Sequence, residues 1–121
     1  MKVFTIEEAN RLLPELRQWL QRLQDEHRFL SVVVEERKVG RDWASDQDHN
    51  AALARILAVR ARISAFGVLL KPGPQGMCDF PALQDGRLIY LCWQPQDAQV
   101  EWWHNLTDGY AGRMPVYDAT G

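Results

Sequence analysis

The apolar residues of this 121-residue chain change their period once, at Gly67. Before it they recur every three or four positions, the spacing of a helix stripe. After it come short runs of β-branched and aromatic residues broken by glycine and proline. One switch in a chain of this length predicts a single α+β domain over residues 1–121. Residues 1–66 form its helical arm, and 67–121 a β-meander with a tail.

The arm opens on Phe4-Thr5-Ile6-Glu7-Glu8, where Thr5 and Glu8 have the spacing of a reciprocal cap and Phe4 and Ala9 that of a hydrophobic staple. Pro14 removes a backbone donor and crowds the carbonyl of Asn10. A short helix over Ile6 to Leu12, then a kink or restart near Pro14, is therefore expected. Leu16, Leu20, Leu23, His27, Leu30 and Val34 alternate by four and three, a heptad seam for lengthwise packing on another helix. Leu12, Leu13, Trp19 and Val33 widen the seam to a core-facing stripe. His27 on it reads as a register-fixing polar residue rather than a ligand. Gly40 stops the helix, and Ser45 with Asp48 starts a second over about Asp46 to Ala65. Its apolar face is Leu53, Ile56, Leu57, Ile63 and Phe66 with Arg60. Two helices joined by a short polar loop predict a long antiparallel hairpin.

Beyond Gly67, Pro72-Gly73-Pro74-Gln75-Gly76 forces turns. Met77 to Phe80 is a short strand closed by Pro81, and Asp85-Gly86 is a hairpin signal. Leu88 to Trp93 is apolar on both faces and reads as the central strand. Gln99 to His104 is a further strand, with Val100, Trp102 and His104 on one face and Glu101 and Trp103 on the other. A small antiparallel meander of three or four strands follows.

Composition narrows the function classes. With 14 basic and 16 acidic residues the net charge is −2, and no basic stripe exists for nucleic acid. No apolar run nears the roughly 20 residues of a spanning helix. The opening residues lack a signal peptide's apolar stretch, so a cytoplasmic protein without membrane association is expected. Cys78 and Cys92 match no zinc spacing and read as reduced, buried side chains, although neighbouring strands would permit a disulfide. Neither a metal nor a cofactor is expected.

The remaining signal is the tail from His104 to Arg113, which gathers His104, Asp108, Tyr110 and Arg113 beside Trp102 and Trp93. Arg113 offers a fork of donors for a small anion. His104 has the chemistry of a base that Asp108 or Glu101 would orient. Trp102 and Tyr110 offer faces for a flat ligand. Each residue also has a plain structural use: the tryptophans in a core or interface, His104 as a hydrogen-bonding strand end, Arg113 tied to a carboxylate of its own chain. No Ser-His-Asp or Cys-His set follows from spacing, and no glycine-rich phosphate loop is present.

Phe4-Thr5-Ile6-Glu7-Glu8-Ala9-Asn10-Arg11-Leu12-Leu13-Pro14 resembles the opening of a small bacterial family, domain of unknown function 2203. So do Asp79-Phe80-Pro81-Ala82, Gly86-Arg87, Leu91-Cys92-Trp93, Trp103-His104, and Gly109-Tyr110-Ala111-Gly112-Arg113 with Pro115. The resemblance spans nearly the whole chain and implies no activity, cofactor or partner. Family members usually carry an acid two residues before the Gly-aromatic pair. Here that position is Thr107, with the acid at Asp108, which weakens a chemical role for a carboxylate there. The expectation is a non-catalytic interaction or scaffold protein, a homodimer through its helical arm, with a possible protein partner. The alternative is a binder or enzyme for a small anionic ligand, using the tail residues beside Trp93 and Trp102.

Overall fold

The computed structural model describes residues 1–41 and 43–116. Two helices, α1 (Ile6–Lys38) and α2 (Asp46–Ser64), precede five strands, β1 (Leu69–Leu70), β2 (Cys78–Gln84), β3 (Arg87–Trp93), β4 (Trp102–His104) and β5 (Met114–Pro115). The last residues of the expected 67–121 unit lie outside the described residues.

α1 starts as its residues dictate. The Thr5 hydroxyl accepts from the Glu8 amide at 3.1 Å, and the Glu8 carboxylate accepts from the Thr5 amide at 3.0 Å. Ser45 and Asp48 repeat the arrangement for α2. Pro14, however, does not end the first helix, which runs about 50 Å as one element from Ile6 to Lys38. The stop expected after Leu12 is overridden by packing. Leu13 and Leu16, on either side of Pro14, are buried in the same core, which offsets the roughly 3 kcal/mol that an interior proline costs. Contacts between the helices run in opposite orders. Arg62 stacks on Trp19, Arg55 pairs with Glu26 at 2.7 Å, and Arg37 pairs with Asp46.

The sheet is antiparallel throughout, with strand order β1-β2-β3-β4-β5. The one or two strands beyond the expected three or four are two-residue edges. Pro81 does not close β2, which continues to Gln84. β1 pairs only with Cys78 and Asp79, so at Pro81 that side of β2 is an edge and a missing N–H costs no ladder bond. The Pro81 carbonyl is taken by the Phe4 amide at 2.7 Å. The Phe4 ring meets Phe80 edge-on, 5.2 Å between centroids.

Asp85 and Gly86 form the β2–β3 turn with φ of +52° and +76°, the left-handed pair that a two-residue hairpin demands. The turn sets the register. Cys78, Phe80 and Ala82 oppose Trp93, Leu91 and Ile89, and Leu91 opposes Trp103. These side chains face the helices and form one core with Leu13, Leu16, Leu20 and Leu23 of α1 and Ile56, Val59 and Ile63 of α2. Both cysteines are free and buried. They sit on opposite faces of the sheet, so no disulfide joins them.

A Cβ at Gly86 would meet nothing within 4 Å, so the cost of Gly86→Ala is conformational. Denaturant titration is expected to give a loss of about 1–2 kcal/mol with an unchanged m-value. The Cys78 thiol, which faces the core, is pushed by burial from 9.0 up to about 12. A group whose folded pKa is raised holds its proton in the fold after the unfolded chain has released it. Its share of stability is whole below pH 9.0 and is lost as pH rises toward about 12. Over that window the stability of Cys78→Ala is expected to fall less steeply with pH than that of the wild type.

Candidate functional site

The sheet face turned away from the helices is not a solvated polar surface. Asp79 opposes Cys92 across β2 and β3, Cys92 opposes Trp102 across β3 and β4, and Tyr90 opposes His104. Register alone therefore places Asp79, Cys92, His104, Tyr90 and Trp102 side by side. Asp79, Cys92 and His104 are all buried, and their donor atoms lie within 4.8 Å of one another.

The contacts around this trio are specific. His104 Nε2 lies 3.0 Å from Asp79 Oδ1, and His104 Nδ1 lies 2.7 Å from the Asn105 carbonyl oxygen. The Lys71 ammonium reaches the other Asp79 oxygen, Oδ2, at 2.8 Å. That hydrogen bond raises the Lys71 pKa, with burial working against it. Lys71 also lies over the Tyr90 ring at 6.0 Å. Burial pushes the Cys92 thiol up, as does the charge of Asp79, while the Arg113 guanidinium beside the sulfur opposes the rise.

Arg113 closes the other side. Its guanidinium lies 4.6 Å from the centre of the Trp102 ring and 4.1 Å from that of Tyr110. It donates to the Tyr110 hydroxyl at 2.9 Å and pairs with Asp97 at 3.5 Å. The turn over Tyr110–Gly112 brings the two aromatic rings around it. At Gly112 an added Cβ would come within 2.8 Å of the Asp108 Cβ, so the tail there approaches itself too closely for a larger residue.

The six residues singled out in the sequence thus divide. Trp102, Tyr110 and Arg113 are brought together. His104 is adjacent but points into the buried trio rather than toward the tail. Asp108 is exposed and accepts a hydrogen bond from Asn105 at 3.2 Å; no hydrogen bond joins it to His104. Trp93 faces the core on the opposite side of the sheet, where its indole donates to the Asp97 carbonyl at 3.0 Å and Arg17 stacks on it. It does not wall a pocket with Trp102. His27 lies on α1, with Nε2 buried and lacking a hydrogen bond among the described residues. Asp79, Cys92 and Lys71 were missed. The available signal was the Asp85-Gly86 turn, from which the pairing of Asp79 with Cys92 can be counted outward.

A separate cavity of about 410 Å³ lies between the start of α1 and the core face of the sheet, lined by Phe4, Ile6, Ala82, Ile89, Leu91 and Trp103 among others. None of the six residues singled out in the sequence borders it. No helix among the described residues is long and apolar enough to cross a membrane.

The chain belongs to a family of uncharacterised conserved proteins, DUF2203, whose model matches residues 2–116. No curated protein and no solved structure matches it.

Removing the stacked guanidinium tests how the tail is held. Arg113→Ala is expected to lower unfolding stability by about 1–2 kcal/mol. Arg113→Lys should recover under about half of the loss, because an ammonium cannot stack between two rings. Chemical denaturation of the three proteins measures both differences.

Proposed function

We propose that this member of the DUF2203 family is a non-catalytic interaction protein that self-associates through its helical arm. The observation that carries this reading is how far the two helices outrun the core. The contiguous core takes Ala9 to Leu23 from α1 and Ile56 to Ile63 from α2. The distal halves of both helices have only each other, and two helices cannot cover all of their apolar surface. Phe29, Val32 and Leu53 are left exposed there, Val39 and Trp43 in the connection between the helices, and Leu57, at 67%, beside the core residue Ile56. Large apolar side chains gathered on a surface mark an interaction site when they join into one patch. A second copy offers the same two half-covered helices, and two such hairpins can close into a four-helix bundle.

The proximal part of the predicted seam argues for the distal location. Leu16, Leu20 and Leu23 are buried in the chain's own core and have no surface left for a partner. The alternative, a small anionic ligand gripped by Arg113, has less support. That guanidinium is already stacked on two rings and paired with Asp97.

Sedimentation velocity across a dilution series tests the reading. A dimer is expected whose dissociation constant rises at least about tenfold (about 1.4 kcal/mol) in Leu53→Glu/Leu57→Glu, with circular dichroism unchanged. A monomer mass independent of concentration in the wild type would sink the proposal.

A further inference from the structure

The buried trio on the far face of the sheet contains an unresolved meeting of acceptors. The Asn105 carbonyl oxygen can only accept, so the His104 Nδ1 that lies 2.7 Å away carries a proton. A neutral ring in that tautomer turns a lone pair on Nε2 toward Asp79. The carboxylate oxygen Oδ1, also an acceptor, stands 3.0 Å from it. Two acceptors facing each other in a buried place need a cation between them, a proton or a metal ion. Lys71 does not supply it there, because its ammonium is on the other oxygen, Oδ2. The sulfur of Cys92 lies within 4.8 Å of a ring nitrogen of His104 and of a carboxylate oxygen of Asp79.

We propose that Asp79 Oδ1, Cys92 Sγ and His104 Nε2 bind a divalent transition-metal ion of the zinc class, with a fourth position left for water or a small ligand. The donor set of one nitrogen, one oxygen and one sulfur suits zinc or cobalt(II) and excludes calcium and magnesium, which take oxygen ligands. Zinc bonds near 2.0 Å to nitrogen and oxygen and near 2.3 Å to sulfur place tetrahedral ligands about 3.3–3.5 Å apart. The oxygen–nitrogen pair already lies close to that separation, and the sulfur has to close in from within 4.8 Å. The surroundings supply what ligands need. The His104 Nδ1 bond to a backbone carbonyl holds the ring with Nε2 inward, the usual support for a metal-bound histidine. Lys71 keeps the second carboxylate oxygen engaged, and Arg113 lies beside the sulfur. The Lys71 side chain is 43% exposed while Asp79 is fully buried. The Lys71 side chain thus runs from solvent to the carboxylate. As the ion enters, the Cys92 thiol and the Asp79–His104 pair release their protons to solvent, leaving a thiolate and a carboxylate to balance the two positive charges.

The chelator-stripped full chain, titrated with cobalt(II) and then with zinc, tests the proposal. One cobalt per chain is expected, with a near-ultraviolet thiolate-to-cobalt charge-transfer band, displacement by zinc and a raised Tm. Cys92→Ser should abolish the band, while Cys78→Ser, whose side chain faces the core, should keep it. Asp79→Asn and His104→Gln should weaken binding at least about tenfold. A saturated wild type without the band, including one that binds cobalt only at other histidines, overturns the site, and so does a band surviving Cys92→Ser. Should the variants fail to fold, nitrogen-15 spectra of the wild-type histidines serve instead. Zinc must shift His104 Nε2 and leave Nδ1 protonated, and an unmoved His104 ring refutes coordination.

Discussion

The two-residue turn at Asp85 and Gly86 is the constraint on which the sheet half depends. A strand alternates its side chains, so a register displaced by one residue would exchange the two faces of the sheet. With the observed turn, Phe80, Leu91 and Trp103 meet the helices, while Asp79, Cys92 and His104 share the other side. A slip by one would put a carboxylate and an imidazole among leucines. That penalty, several kcal/mol for an unpaired buried charge, makes the polar trio a specifier of register as well as a candidate site. Left-handed φ at both turn positions fixes from the turn what the trio fixes from the middle of the strands.

The far face is thereby a second, polar core. A fully buried carboxylate is costly unless its oxygens are engaged, and Asp79 meets Lys71 on one oxygen and His104 on the other. Cover comes from a segment with little regular structure of its own. The tail between β4 and β5 contains a turn at Leu106–Thr107 and one short 3-10 helix and is held by Arg113 between Trp102 and Tyr110. Asp97 links that cover to the other side of the sheet. Its carboxylate takes Arg113, and its carbonyl takes Arg17 of α1 at 2.7 Å and the Trp93 indole at 3.0 Å.

Much of this architecture is legible in the residues because it is local. The caps at Thr5 and Ser45, the end of the helical region near Gly67, the Asp-Gly hairpin and the central position of Leu88 to Trp93 each follow from neighbours within a few positions. What sequence reading misplaced depends on distant partners. Pro14 stays within a helix because Leu13 and Leu16 are held by the core, and Pro81 stays within a strand because β1 is too short to reach it. Trp93 and Trp102 look like one aromatic pocket in the sequence, yet they lie on opposite faces, which only strand alternation and pairing reveal. The Asp79–Cys92–His104 trio escaped notice for a related reason. Metal spacing is sought within one loop or helix, whereas here three strands contribute one residue each.

Asn10 and Arg17 give the proline in α1 a further meaning. Asn10, four residues before Pro14, accepts the Val100 amide on its side-chain oxygen at 2.7 Å. Arg17, three residues after it, donates to the Pro95 carbonyl at 2.8 Å and to that of Asp97. The segment from Pro95 to Val100 is thus fastened on both sides of the joint where the helix has lost a backbone bond, like a splint across a weak point in a rod. Continuity of the long helix is consequently a property of the assembled domain. The same residues cut free would keep the proline and lose the brace.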